Sequence, residues 1–190
     1  TLEPRLAMYF SSACTELRAL LPPAVRQQLR ADYEAAAALC LKMGMRSCKE
    51  LREATKVLWV DKGLSEADLA TLATLGSVLP ALKQLTLRER SGSAGLDGVP
   101  RLAEGLAAGA LPAVTYFEIY SMHVGDAGAS ALAAALDRGA LPRLKVLALI
   151  SGLASAAIGD AALVALAPAL RRRPALETLA LIGNPLGDEG

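Results

Sequence analysis

The chain has 190 residues, of which 53% are hydrophobic, so it has the material for one well-packed core and is not expected to be intrinsically disordered. Its 20 Lys and Arg against 19 Asp and Glu leave a formal net charge of +1. This balance excludes the strong overall field that gathers nucleic acid or an anionic membrane.

Three cysteines, Cys14, Cys40 and Cys48, are too few and odd in number for a disulfide framework, so we expect a reducing compartment, the cytoplasm. The apolar stretches are interrupted before the ~20 residues that a membrane span needs. The chain opens on Thr1 without a methionine. Either a targeting peptide was removed upstream or the chain is an excerpt from a longer protein.

The first part of the chain, residues 1–53, is predicted to be helical. Leu6, Leu17, Leu20 and Leu21 indicate one helix or a pair that ends at the Pro22-Pro23 dipeptide. Residues 24–43 predict a long helix whose apolar side holds Val25, Leu29, Tyr33, Ala36, Leu39 and Cys40. Ser47 and Glu50 have the spacing of a capping box for a further short helix. We expect this region to cap the units that follow, or to be the tail of a preceding domain.

From residue 54 onward the sequence repeats itself. Residues 80–87, 112–119, 142–149 and 174–181 share the pattern P-x-L-x-x-L-x-L, and a weaker copy stands at residues 54–59. The central residues are Val57, Leu85, Phe117, Leu147 and Leu179, at steps of 28, 32, 30 and 32 residues. A period of this size predicts a stack of equivalent supersecondary units.

The second half of each unit predicts a helix. A motif of the type apolar-Gly-Asp-x-Gly is followed by apolar residues at helical spacing, and Asp126 and Asp160 are the best candidates for N-caps. Gly109 and Gly139 are predicted to end helices, and a proline then prevents continuation into the next strand. One such unit buries too little to fold alone. Neighbouring units should therefore pair their strands in parallel and share one core.

The pattern L-x-x-L-x-L followed by this helix start resembles the ribonuclease-inhibitor-like class of leucine-rich repeats. The likeness covers residues 54–190, about four and a half units, and residues 176–190 carry the consensus almost completely. It implies an α/β solenoid with a curved parallel sheet on the concave side and helices on the convex side. The chain stops at Gly190, where the fifth unit's helix should begin, so we expect it to be a fragment truncated at the C-terminus.

The sequence departs from that family at the turn after each strand. The family's turn asparagine is present only as Asn184, while Lys62, Arg90, Met122 and Gly152 stand near that place in the other units. Backbone groups at those turns must therefore be satisfied differently, or the turns must be looser. Two units also carry insertions there, at residues 88–96 and 151–157, which are partner-contacting loops or tolerated drift.

Sites for chemistry are weakly indicated. The single histidine, His123, falls in a turn, and Cys40 and Cys48 lack the spacing of a zinc site. The glycine-rich residues 91–95 lack the Gly-Lys-Ser/Thr of a phosphate loop, and residues 171–173, three arginines, are interpreted as a solvated helix end. We therefore predict no catalytic residues, no metal and no cofactor.

The concave strand face is the predicted place of function. Every second residue along a strand points toward this face. A one-residue slip of the predicted strand around Val57 would turn Trp59 toward this face and bury Leu58 and Val60 instead. Spacing to Leu64 favours a buried Trp59. The predicted partner-binding residues are Arg88, Tyr116, Glu118, Tyr120 and Ile150, a polar and aromatic cluster beside an apolar column.

These patterns predict a non-catalytic protein-protein interaction module with an unidentified protein partner, no nucleic acid and no membrane span. Two alternatives follow from the same repeat type. One is a GTPase-activating regulator resembling the Ran GTPase-activating proteins, and the other is a sensor segment of a larger receptor.

Overall fold

The computed structural model describes residues 21–90, 94–152 and 157–187. The fold is α/β, with a five-stranded parallel sheet whose strand order follows the chain from β1 to β5. The predicted first helix around Leu6, Leu17 and Leu20 lies outside the described residues. Parts of both turn insertions, residues 91–93 and 153–156, also lie outside them.

The elements alternate between helix and strand after two leading helices. They are α1 (Pro23–Lys42), α2 (Cys48–Glu53), β1 (Lys56–Val60), α3 (Glu66–Leu75), β2 (Gln84–Arg88), α4 (Gly98–Ala107), β3 (Tyr116–Tyr120), α5 (Gly125–Asp137), β4 (Val146–Ile150), α6 (Asp160–Arg171) and β5 (Thr178–Ala180). A short 3-10 turn, Gly76–Val78, extends α3.

The predicted strand register is confirmed. Val57, Leu85, Phe117, Leu147 and Leu179 lie opposite one another in a single row across the sheet. Trp59 is 2% exposed and Leu58 is 56% exposed, so the unslipped alignment of the first strand is correct. The spacing to Leu64 therefore predicted the register of β1 correctly.

One hydrophobic core joins the strands to the helices. The central row from Val57 to Leu147, the row two residues further along each of β1 to β4, and the apolar faces of α3 to α6 belong to the same buried cluster. The helices are neighbours in the order α1, α3, α4, α5 and α6. The molecule therefore has a layer of helices on one face of the sheet.

Glycines let two of the helices approach closely. A Cβ atom added to Gly105 of α4 would lie 2.3 Å from the Cβ of Ala73 in α3. Gly109 and Gly139 follow α4 and α5 with φ of +92°, which confirms them as helix ends.

The prediction that Asp126 and Asp160 cap their own helices is wrong. Neither α5 nor α6 has a side-chain cap. Each aspartate instead accepts a hydrogen bond from a glycine N–H in the next unit. Asp126 Oδ1 accepts from the Gly159 N–H at 2.8 Å, and Asp160 Oδ1 accepts from the Gly187 N–H at 2.8 Å. The carboxylates thus bind the backbone of the neighbouring unit and not that of their own helix.

The leading helices pack at the β1 end of the molecule. Helix α1 contacts α3, and Lys42 Nζ lies 2.5 Å from Asp68 Oδ2. Ser47 is the N-cap of α2 as predicted, although the Glu50 side chain accepts from the Arg46 N–H. On the predicted apolar side of α1 only Ala36, Leu39 and Cys40 are buried, while Tyr33 is 58% exposed.

Candidate interaction face

The surface of the sheet that faces away from the helices is the candidate functional site, and we call it the open face. It consists of the strand residues that alternate with the buried rows: 56, 58 and 60; 84, 86 and 88; 116, 118 and 120; 146, 148 and 150; 178 and 180. Ala148 is buried yet is not part of the core cluster, as expected for a short side chain on this other face. All five predicted partner-binding residues lie on the open face.

Four of these residues are joined by contacts centred on Glu118. The Tyr116 hydroxyl donates to Glu118 Oε2 at 2.5 Å, and Arg88 Nη2 lies 3.8 Å from Glu118 Oε1. The Arg88 guanidinium carbon stands 4.1 Å from the centroid of the Tyr120 ring, a cation-π distance. These contacts link the four side chains of Arg88, Tyr116, Glu118 and Tyr120 across the adjacent strands β2 and β3.

Burial of Glu118 is what the sequence could not indicate. Its alternation places it on the open face, but it is only 8% exposed because Tyr116, Tyr120 and Arg88 surround it. A buried carboxylate needs hydrogen bonds and an opposite charge, and the tyrosine hydroxyl and the arginine supply both. Glu118 therefore positions the Tyr116 hydroxyl and the Arg88 guanidinium through direct contacts.

The same contact changes the acidity of the tyrosine. The hydrogen bond to the Glu118 carboxylate, together with partial burial, raises the pKa of Tyr116 above its ordinary value. Tyr116 therefore keeps its hydroxyl proton through the neutral pH range and can donate it to Glu118.

Ile150 lies next to this cluster and has an apolar side chain. It is the ladder partner of Tyr120, and it begins an apolar strip with Val146 and the exposed Ile182. The open face therefore changes from charged and aromatic at β2 and β3 to apolar at β4 and beyond.

An ion pair that the sequence did not predict borders the face at its β1 end. Arg90 binds the Asp61 carboxylate through its guanidinium, and its backbone N–H donates to Asp61 Oδ1 at 3.2 Å. These bonds from Arg90 lower the pKa of Asp61. Asp61 has a φ of +49°, a conformation that Asp tolerates better than most residues. This preference is the sequence signal that could have singled out Asp61 at the turn after β1.

The turns after the strands use two different acceptors for one task. Asn184 Oδ1 accepts from the Ile158 N–H at 2.9 Å, while its amide donates to the Leu149 carbonyl at 2.9 Å. The Leu64 N–H of the first unit, at the position equivalent to Ile158, donates at 2.8 Å to the buried Glu89, which follows β2 in the second unit. The expectation that the other turns are satisfied differently is thus confirmed for this unit, by a residue that sequence reasoning missed.

The arginine run of residues 171–173 is mostly engaged within the molecule. Arg173 Nη1 donates to the Leu141 carbonyl at 2.9 Å and Nη2 to that of Leu136, and Arg172 Nη1 pairs with Asp137 at 2.9 Å. Two of the three arginines therefore tie the end of α6 to the end of α5. The interpretation as a merely solvated helix end is incomplete.

Other candidate chemistry remains dispersed over the described part of the chain. No group of three or more metal-binding side chains comes together among residues 21–90, 94–152 and 157–187. No helix within those ranges combines the length and the apolar content that a membrane crossing needs. His123 is partly buried, and its Nδ1 has no hydrogen-bond partner among the described residues.

Comparison with known proteins adds no relative. No protein-family model matches the chain, and no curated protein matches it significantly.

Proposed function

We propose that this chain is a leucine-rich repeat solenoid of the ribonuclease-inhibitor-like class that binds a protein partner on its open face. In this proposal residues 1–53 form the N-terminal cap, the binding is non-catalytic and needs no cofactor, and the protein acts in the cytoplasm. The alignment of equivalent leucines in one row at intervals near 30 residues supports the repeat architecture.

The observation that carries the binding proposal is the ordered cluster of Arg88, Tyr116, Glu118 and Tyr120. Arginine and tyrosine are the residue types that most often dominate interface energies. The guanidinium of Arg88 stacks on the ring of Tyr120 at 4.1 Å and also pairs with Glu118. Because these contacts already order the side chains, binding a partner would cost little further conformational entropy.

The apolar strip beside the cluster supports the same reading. Ile182 is 64% exposed, and Ile150 and Val146 are partly exposed on the neighbouring strand. A polar aromatic anchor next to an apolar surface matches the usual composition of a protein interface. Arg88 pairs with Glu118 on the face, and Arg90 pairs with Asp61 beside it, which suits recognition better than proton transfer.

The test starts by capturing a partner from the native source with the immobilised chain and identifying it by mass spectrometry. Its Kd is then measured for the unchanged chain, for Tyr120→Ala, and for Val164→Ala, a 62% exposed apolar residue on α6. We expect Tyr120→Ala to weaken binding by about 30-fold, the effect of a typical hot-spot residue, while Val164→Ala has no effect. Equal thermal unfolding of the three chains excludes misfolding.

Loss of binding in Val164→Ala with full binding in Tyr120→Ala would place the interface on the helical layer. The proposal that the open face binds the partner would then be wrong.

A further inference from the structure

The sulfur atoms of Cys40 and Cys48 are in contact. Their Sγ atoms lie 3.7 Å apart, and both residues are thiols. Cys40 lies near the end of α1, and Cys48 is the first residue of α2. The connection between these helices thus brings two thiols together that the eight-residue separation alone would not.

The two sulfurs differ in their access to solvent. Cys40 is 1% exposed within the hydrophobic core, while Cys48 is partly exposed. Burial, aided by the neighbouring Cys48, raises the pKa of Cys40 to about 12. Cys40 therefore remains a thiol at neutral pH, and Cys48 is the sulfur that an external reagent meets first.

We propose that Cys40 and Cys48 form a reversible disulfide, with a small-molecule disulfide such as glutathione disulfide as the oxidant. A disulfide bond is about 2.05 Å long, so the sulfurs must approach by roughly 1.7 Å from their present contact. Rotation of the partly exposed Cys48 side chain can supply most of that movement. The backbone already holds this connection together through the Met45 N–H, which donates to the Cys40 carbonyl at 2.8 Å.

The reaction has two steps that balance. The Cys48 thiolate attacks one sulfur of glutathione disulfide, which forms a mixed disulfide and releases one glutathione thiolate. Cys40 Sγ then attacks Cys48 Sγ, and the proton of the Cys40 thiol passes to the second glutathione, which leaves as a thiol. The protein dithiol is oxidised by two electrons, and one glutathione disulfide is reduced to two glutathione thiols.

The position of the pair gives the bond a structural consequence. Helix α1 packs against α3, and α2 leads directly into β1. Oxidation would therefore fasten the leading helix to the segment that enters the first strand. The proposal concerns this helical region and does not depend on partner binding at the open face.

The experiment equilibrates the full chain with mixtures of reduced and oxidised glutathione, alkylates the remaining thiols and digests the product with trypsin. Cleavage after Lys42 and Arg46 separates the two cysteines, so the disulfide appears as residues 31–42 linked to residues 47–49. Cys14 falls in a different peptide, so a bond to it is distinguishable. The same titration in urea provides the unfolded reference.

We expect the folded chain to form the disulfide in a more reducing glutathione mixture than the unfolded chain does, because the fold already holds the sulfurs in contact. The ratio of oxidised to reduced glutathione that oxidises half of the pair should be at least about tenfold lower for the folded chain. Dithiothreitol should reverse the bond, and Cys48→Ser should leave Cys40 unmodified. A native chain that forms the bond no more readily than the unfolded chain would overturn the proposal. A stable glutathione adduct on Cys48, or bonds mainly to Cys14, would also overturn it.

Discussion

Glu118 is the residue on which the geometry of the open face depends. It accepts from the Tyr116 hydroxyl at 2.5 Å and lies 3.8 Å from Arg88, which in turn stacks on Tyr120. Because Glu118 is only 8% exposed, its carboxylate has little contact with water, and Tyr116 and Arg88 supply polar contacts in place of it. Its role is to position the groups that a partner would contact.

This arrangement predicts a specific titration. The raised pKa of Tyr116 should fall toward the ordinary tyrosine value in Glu118→Gln, because the neutral amide accepts the hydroxyl proton less strongly than the carboxylate does. NMR of ring-labelled tyrosine measures this pKa directly. A pKa of Tyr116 that is unchanged in Glu118→Gln would show that the carboxylate is not its cause.

The same shift has a consequence for stability at high pH. Tyr116 binds its proton more tightly in the folded than in the unfolded chain, so its stabilising contribution is complete below the unfolded pKa, about 10, and is lost as the pH rises through the folded value. Between those two pKa values the urea midpoint should fall less in Tyr116→Phe than in the unchanged chain.

At the scale of the elements, equivalent positions in different strands have different surroundings. Leu147 in β4 is 1% exposed and lies between β3 and β5, whereas Leu179 in β5 is 41% exposed and pairs on one side with β4. Both occupy the central leucine position of their unit. The contribution of equivalent positions to the free energy of unfolding therefore depends on how deeply each side chain is buried.

Truncation of these two leucines tests that difference. Leu147→Ala should lower the free energy of unfolding by ~2–5 kcal/mol, because it leaves a cavity in a closed core. Leu179→Ala, the matched control at the same repeat position, should cost less than about 1.5 kcal/mol, since its side chain is already partly in water. Urea denaturation of both variants gives the comparison. Equal losses would contradict the burial described for β5.

Among the described residues of the whole molecule, side chains at the two ends of the sheet are buried to different degrees. At the β1 end, Leu39 and Leu51 from the leading helices belong to the same core as Val57 and Trp59. At the β5 end, Leu176 and Leu181 are partly buried and Leu179 is exposed. We expect local stability to follow this difference in burial.

Hydrogen exchange should therefore begin at the β5 end. We expect the amides of β5 to exchange fastest among the five strands and those of β3, paired on both sides, to exchange slowest. Trp59, the single tryptophan, reports on the first unit by its fluorescence. The urea midpoint of the change in Trp59 fluorescence should be higher than the urea concentration at which the β5 amides lose their protection from hydrogen exchange. Simultaneous exchange of all strands would indicate one cooperative unit instead.

Much of this fold was predictable from local patterns, and the reason is periodicity. Leucines at fixed intervals determined which strand residues face the helices, the pairing of Val57 with Leu85 and onward to Leu179, and the helix ends at Gly109 and Gly139. These properties follow from the chain's own spacing, because alternation in a strand and the 3.6-residue turn of a helix need no information from distant residues.

Only the tertiary structure decided the environments that several units create together. The burial of Glu118, the use of Glu89 at a turn, the bonds from Asp126 and Asp160 to the next unit, and the contact of Cys40 with Cys48 all depend on side chains from separate elements. A sequence pattern states which way a residue points, but its exposure and its partner are set by what the neighbouring element places beside it.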